Sequence, residues 1–216
     1  MTSTVNAFSA NNECLGVVLA GGLSSRMGQD KAQLLRDQKT MLSMLGFSKQ
    51  RLHDSGIKNI VVSGDNYDVP DMVKHSGPVA GILSVLSMYP QAKSLLLLPI
   101  DLPFMTAKAL ADLRLKGELS QKATYFTGHP MPLYLPNSAY VALFLAQAFH
   151  SHSAAEKKLS RAEITQQGSS SKKNGPSIKA LLKNIPHQEI QSSDANTLFN
   201  TNTPEQWQQA KQQFNF

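Results

Sequence analysis

Residues 15–31, Leu-Gly-Val-Val-Leu-Ala-Gly-Gly-Leu-Ser-Ser-Arg-Met-Gly-Gln-Asp-Lys, restrict the possible folds more than any other stretch of the chain. The opening five residues are uniformly apolar and rich in β-branched side chains, as in a strand buried on both faces of a parallel sheet. The chain then passes directly into Gly21-Gly22, two serines, Arg26, Gly28 and Lys31. Glycines let a backbone approach a ligand closely, and consecutive N–H groups in such a turn form an anion-binding hollow. Arg26 and Lys31 add positive charge, so the expectation is a polyphosphate cradle at the carboxyl end of a first strand. A Walker A loop is excluded: five residues separate Gly22 from Gly28, and Lys31 is followed by Ala32 rather than Ser or Thr. The glycine spacing of a dinucleotide-binding turn is also missing. A bare glycine-rich strand-to-helix loop remains the plain alternative.

The rest of the chain supports an enclosed α/β domain. Its 216 residues, 41% of them hydrophobic, are enough for one substantial core. Residues 1–13 read as a polar tail and 14–216 as a single domain. No apolar run approaches the roughly 20 residues that span a bilayer, so no membrane is expected. The single cysteine, Cys14, has no internal disulfide partner and reads as a buried filler. With no secretory leader at the start, the expectation is a cytoplasmic protein. A formal charge of +6 suits polyanionic partners.

Strands and helices alternate along the chain. Residues 40–55 carry Met41, Leu42, Leu45 and Leu52 at helical spacing, with Gly56 as a stop. Residues 57–62 form a second strand. Gly77-Pro78 opens a helix with Val79, Ile82, Leu83 and Leu86 inward. Residues 94–100, the most apolar stretch, form a third strand, and Thr106 caps a helix bearing Leu110 and Leu113. Residues 123–127 and 132–135 read as strands around a turn at Gly128-His129-Pro130. A helix over 137–148 runs through Val141, Leu143, Leu145 and Ala148. Such alternation gives right-handed crossovers, hence a three-layer, doubly wound domain with a mostly parallel sheet.

The third strand runs into Asp101-Leu102-Pro103. Open α/β sheets bind ligands at the carboxyl ends of their strands, and Mg²⁺ takes one or two carboxylates plus water and phosphate oxygens. Asp101 is therefore a candidate magnesium ligand, with a turn aspartate as the plain reading.

The pattern Leu-Ala-Gly-Gly-x-Ser-x-Arg-Met-Gly-x-Asp-Lys, followed by Asp-x-Pro at 101–103, resembles the molybdenum cofactor guanylyltransferase family. So does Asn-x-Asn-Thr-Pro-Glu at 200–205, and the likeness runs in order from Val17 to Trp207. It implies a Rossmann-like sheet of the nucleotide-diphospho-sugar-transferase kind, with a nucleotide-binding half over about 14–116 and an acceptor-binding half over about 117–216. It also implies transfer of GMP from GTP to the terminal phosphate of molybdopterin, with Mg²⁺ as cofactor. Arg26, Lys31 and Asp101 are then catalytic, and Asp101 is the metal ligand. Leu19, Ala20, Gly21, Gly22, Ser24, Lys31, Ser63, Asp71 and Asp101 bind the nucleotide, the triphosphate lying on the backbone of residues 20–23.

Ser63 stands where the family usually has asparagine. Asp71 is preferred to Asp68 because it is nearer Gly77-Pro78-Val79-Ala80-Gly81. Asn202 and His129 are further candidates, facing the metal or phosphates and the acceptor respectively. By the same resemblance, Gly21-Gly22 and Asp30 imply guanine rather than cytosine. The alternatives are a cytidylyltransferase on the same pterin, a nucleotidyltransferase acting on a sugar phosphate or cobinamide phosphate, and a catalytically silent nucleotide-binding accessory protein. Proteins that deliver the cofactor, or molybdoenzymes that collect it, are the possible protein partners.

The remaining stretch, residues 151–175, is polar and reads as a mobile surface insertion. His150 and His152 lack a third ligand for zinc. The lysines and arginine between 157 and 183 have no interleaved aromatics, which argues against nucleic acid. Beyond it, Ser177 is placed to cap a further helix.

Overall fold

The computed structural model describes residues 14–21, 31–37, 39–74, 76–159 and 175–214. The expected tail at 1–13, and Gly22, Leu23, Ser24 and Arg26, lie outside them, as do residues 160–174 of the polar stretch.

A six-stranded sheet forms the middle layer. β1 (Cys14–Leu19) lies between β4 (Ile60–Ser63) and β5 (Ser94–Pro99), parallel to both. The sheet continues through β7 (His129–Pro136), β6 (Ala123–Phe126) and β8 (His187–Ile190). β7 is antiparallel to its two neighbours, and β8 is parallel to β6. Five strands therefore run one way, and β7 alone reverses. Among the described residues no helix is long and apolar enough to cross a membrane.

The period of two along the strands sends alternate residues to opposite faces. Cys14 and Val18 of β1, with Leu96 and Leu98 of β5, join one core cluster. Leu15, Val17 and Leu19, with Leu95 and Leu97, join the other. The first cluster is closed by α1 (Met44–Asp54), α3 (Ala107–Ser120) and α6 (Pro204–Gln213). The second is closed by α2 (Pro78–Met88), α4 (Ala139–Leu159) and α5 (Ile178–Lys183). Helices on both faces give the three layers expected.

Local signals explain most helix ends. Ser43, Thr106, Ser177 and Thr203 each accept a first-turn amide through the side chain, and Thr203 completes a capping box with Gln206. Pro78 and Pro204 sit at first-turn positions, where no amide hydrogen is needed.

Four expectations are corrected. Residues 40–43 are not helical. β2 (Leu35–Asp37) and β3 (Leu42–Ser43) form a small hairpin, with Met41 at φ 55° and 67% exposed. Asp37 holds that turn by accepting from the Lys39 and Thr40 amides and the Thr40 hydroxyl. His129 and Pro130 belong to β7 rather than to the turn. Leu143 faces solvent at 58% exposure, and Val141 and Leu145 carry the packing of α4. Finally, α4 does not end at Ala148 but continues to Leu159, into the polar stretch read as a mobile surface insertion.

Gly117 of α3 lies against Tyr134, and a Cβ there would overlap the ring. Gly117→Ala gains about 1 kcal/mol of helix propensity but overpacks a fully buried ring, which costs roughly 1–3 kcal/mol or more. The variant is expected to melt several degrees below the parent; an unchanged or raised Tm would contradict this packing. Burial pushes the Cys14 thiol from 9.0 up to about 11. The folded state therefore holds that proton more tightly than the unfolded chain does. This part of the stability is intact below pH 9 and is lost as the pH rises towards about 11. In the native protein Cys14 is expected to resist thiol reagents at pH 8 and to react once urea unfolds it.

Candidate active site

The parallel register places the carboxyl ends of the three leading strands side by side, Leu19 being opposite both Ser63 and Pro99. At this edge the chain turns sharply. The Ala20 and Gly21 amides both donate to the Ser63 carbonyl, at 2.9 and 3.1 Å. Gly64, at φ 152°, packs so closely that a Cβ would lie 3.1 Å from the Gly21 nitrogen. This corrects one detail of the expected cradle. The first two amides of the glycine turn are already used by the neighbouring strand, and the rest of the expected cradle, from Gly22 on, lies outside the described residues. Leu19 is buried, its side chain belonging to the core.

Asp71 stands over the same turn. A Cβ on Gly21 would lie 3.3 Å from its Oδ2, and one on Gly81 would lie 3.6 Å from Oδ1 and 2.8 Å from the Ser63 Oγ. Gly21, Ser63, Asp71 and Gly81 therefore enclose one small space. Ser63 is 2% exposed, so its hydroxyl lies against α2 rather than open to solvent. Asp68 is committed elsewhere, its Oδ2 accepting the Val62 amide at 2.9 Å. Burial, and then the nearby charge of Asp65, hold the Asp71 carboxyl above the ordinary carboxylate range.

The second group of residues gathers around Asp101. Lys31 begins a 3-10 turn at Lys31–Gln33, and its Nζ lies 3.5 Å from Asp101 Oδ2 and donates to Asn202 Oδ1 at 3.2 Å. The Lys31 and Asp101 side chains are only 16% and 18% exposed, so solvent screens the pair weakly. Thr201 clamps Asp101 from the other side, donating its amide and hydroxyl to the Asp101 carbonyl at 2.9 and 3.2 Å. Gln206 Oε1 accepts the Asn202 and Thr203 amides, which fixes the Asn202 backbone. The Asp101 Oδ1 is buried and, among the described residues, has no side-chain hydrogen-bond partner. Burial raises the Asp101 pKa, and Lys31 offsets part of that rise.

Sequence reasoning did not anticipate Thr201, although it lies inside the Asn-x-Asn-Thr-Pro-Glu motif. His129 is exposed at the start of β7. Because β7 runs against β5, that start lies towards the edge that bears Asp101. A cavity of about 430 Å³ opens at the opposite, amino edge, bordered by Cys14, Lys58, Lys93, Ser94, Arg114 and Tyr134. It shares no residue with the Asp101 cluster.

The family model described as a MobA-like NTP transferase domain matches residues 16–167. The chain belongs to this family. It is 29% identical over 197 residues to a molybdenum cofactor guanylyltransferase from Xanthomonas euvesicatoria, covering 89% of this chain and 91% of that one. A namesake from Rhizobium meliloti is 29% identical over 211 residues, covering 90% of this chain and 89% of the relative. The fold is similar to molybdopterin-guanine dinucleotide biosynthesis protein A from Archaeoglobus fulgidus (TM-score 0.61, 19% identity, 92% of this chain and 97% of that chain). It is also similar to Rv0371C from Mycobacterium tuberculosis in complex with manganese (TM-score 0.52, 16% identity, 93% and 99% covered). As a MobA-like NTP transferase, the chain is a nucleotidyltransferase.

Asp71 yields a prediction with a definite sign. Its raised pKa means that the stability tied to this group is present at low pH and lost as the pH rises through the folded-state value. Asp71→Asn is therefore expected to raise Tm at pH 7 without nucleotide, the gain vanishing at a pH where the aspartate is protonated in both states. A lower Tm at pH 7 would show that the carboxylate stabilises the fold.

Proposed function

We propose that this chain transfers GMP from GTP to the terminal phosphate of molybdopterin, releasing pyrophosphate and forming molybdopterin guanine dinucleotide. The observation that carries this reading is the Lys31–Asp101–Asn202 cluster beside the glycine turn of β1, in a chain related over most of its length to proteins named molybdenum cofactor guanylyltransferase. Residues over about 14–116 would then hold the nucleotide and those over about 117–216 the acceptor, with His129 facing it.

A divalent cation fits the residues present. Among the described residues no three His, Cys, Asp or Glu side chains group as metal ligands, which speaks against a closed structural site. Asp101 instead offers a single buried carboxylate with one oxygen unpaired, the sparse donor set with which Mg²⁺ binds alongside water and phosphate oxygens. The manganese-bound Rv0371C is in keeping with a divalent ion on this fold. Magnesium on Asp101 would supply charge neutralisation across the triphosphate.

The protein's own share of the work is positioning and electrostatics. A terminal phosphate is already anionic near neutral pH, so attack on the α-phosphorus needs no strong base. The obstacle is the mutual repulsion of two polyanions. Lys31 stabilises charge building on the departing pyrophosphate, with Arg26 assigned to the same task. Asn202 holds the Lys31 ammonium so that it does not collapse fully onto Asp101. The backbone from Gly22 onward receives the triphosphate, while Ser63 and Asp71 line the nucleoside end, Ser63 through its carbonyl-braced turn. Proteins that bring or collect the cofactor are the protein partners this reading allows.

The deciding experiment measures pyrophosphate release with GTP, CTP and ATP, each with and without molybdopterin. Release with GTP and pterin alone supports the reading, release with CTP points to the cytidyl alternative, and silence throughout overturns both. Lys31→Ala is expected to lower kcat roughly 100-fold or more while the protein stays folded. Asp101→Asn is expected to abolish metal-dependent transfer. A folded Lys31→Ala enzyme with near-parental turnover would remove Lys31 from the mechanism.

A further inference from the structure

Arg36 lies in β2, five residues after Lys31, and its side chain reaches the loop that follows Asp101. Its Nε donates to the Pro103 carbonyl at 2.7 Å. Its guanidinium lies 3.7 Å from the Phe214 ring centre, 5.3 Å from that of Phe47 and 5.9 Å from that of Phe104. Phe214 in turn meets Phe104 at 5.5 Å and Trp207 at 5.7 Å, and Phe104 meets Phe199 at 6.0 Å, all edge-to-face. Burial disfavours the guanidinium charge, and the ring faces offset part of that cost.

The partners of this cluster are informative. Pro103 and Phe104 belong to the loop that begins at Asp101. Phe199 and Phe214 flank α6, the same C-terminal segment that sends Thr201 to the Asp101 carbonyl and Asn202 to Lys31. The Asp101 loop is thus held at one end by Thr201 and at the other by Arg36. Arg36 is itself tied through β2 and the 3-10 turn to Lys31. A lysine would not reproduce this contact. Only the planar guanidinium stacks flat on a ring while directing one N–H at a carbonyl.

We propose that Arg36, held between the Phe214 ring and the Pro103 carbonyl, is a positioning residue that sets the distance between the Asp101 carboxylate and Lys31. The C-terminal end of the chain then acts as a brace for the site without touching substrate. The brace follows from the contacts above; its effect on turnover rests on the roles given to Lys31 and Asp101 under the proposed function.

The test compares the full-length parent with Arg36→Met, Arg36→Lys, Phe214→Leu and Arg51→Met. Arg51 serves as the control: it also stacks on Phe47, at 5.3 Å, but pairs with Asp54 and lies outside the Asp101 loop contacts. Native-state hydrogen exchange at the Leu102, Phe104 and Met105 amides is read alongside kcat and the KM for GTP. Arg36→Met and Phe214→Leu are expected to speed exchange at these amides by about tenfold or more, with Arg36→Lys intermediate and Arg51→Met parental. The same two variants are expected to lose about tenfold in kcat with little change in KM, since small misplacements at a reacting centre are costly. Exchange that stays parental in folded Arg36→Met overturns the brace. Faster exchange with an unchanged kcat overturns the positioning role and leaves the proposed activity standing. A parent that transfers no nucleotide refutes the proposed activity, and the exchange rates then judge the brace alone.

Discussion

The site depends on one piece of backbone geometry, the parallel pairing of β1 with β5 in a register that sets Leu19 opposite Pro99. Parallel strands expose their carboxyl ends together, so whatever follows each strand emerges on the same edge. Here the glycine turn follows one strand and Asp101 the other. The register is tightly specified because both strands are buried on both faces, and a one-residue slip would exchange the contents of the two core layers. The same burial that holds the sheet together therefore determines which residues meet at its edge.

That edge is an expensive place for charge. Lys31 and Asp101 sit where solvent screens little, and the raised Asp101 pKa shows that one lysine does not fully repay burial of the carboxylate. An arrangement selected for stability alone would pair both carboxylate oxygens. Instead, among the described residues, Oδ1 has no side-chain partner while Lys31 is shared with Asn202. Asp71 shows the same economy, desolvated and facing the charge of Asp65. Burial thus holds two carboxylates above their ordinary range at one sheet edge, the kind of perturbation that marks a candidate site.

Much of this was legible in the sequence because its signals are local. The apolar runs, the caps at Thr106 and Thr203, and Pro78 each act within a few residues and put their elements close to where they lie, although β4 begins at Ile60 rather than at residue 57. The hairpin at 35–43 was not legible. Its strands are too short to show a period of two, and Met41 and Leu42 happen to fall at helical spacing ahead of α1. Leu143 misled in the same way, an apolar residue on the outer face of α4. At the site, a local motif singles out Asn202, which lies beside Lys31, whereas the use of the Ala20 and Gly21 amides by Ser63 depends on a neighbouring strand that no local pattern encodes. Arg36 is the extreme case. Its surroundings come from residues 47, 103, 104 and 214, and nothing near it in sequence marks it out.

The long-range character of these contacts bears on how the site comes into being. Lys31 and Asn202 are separated by 171 residues, and Asp101 and Thr201 by 100. Closing such loops costs only slowly more entropy with length, yet each of these bonds requires the sheet edge and the segment leading into α6 to be held together. The Phe104, Trp207 and Phe214 rings supply apolar area for that docking, which weak polar contacts at the rim would not. The cluster around Asp101 is therefore a product of tertiary closure rather than of its own hydrogen bonds. Its polar geometry is only as well defined as the aromatic contacts behind it.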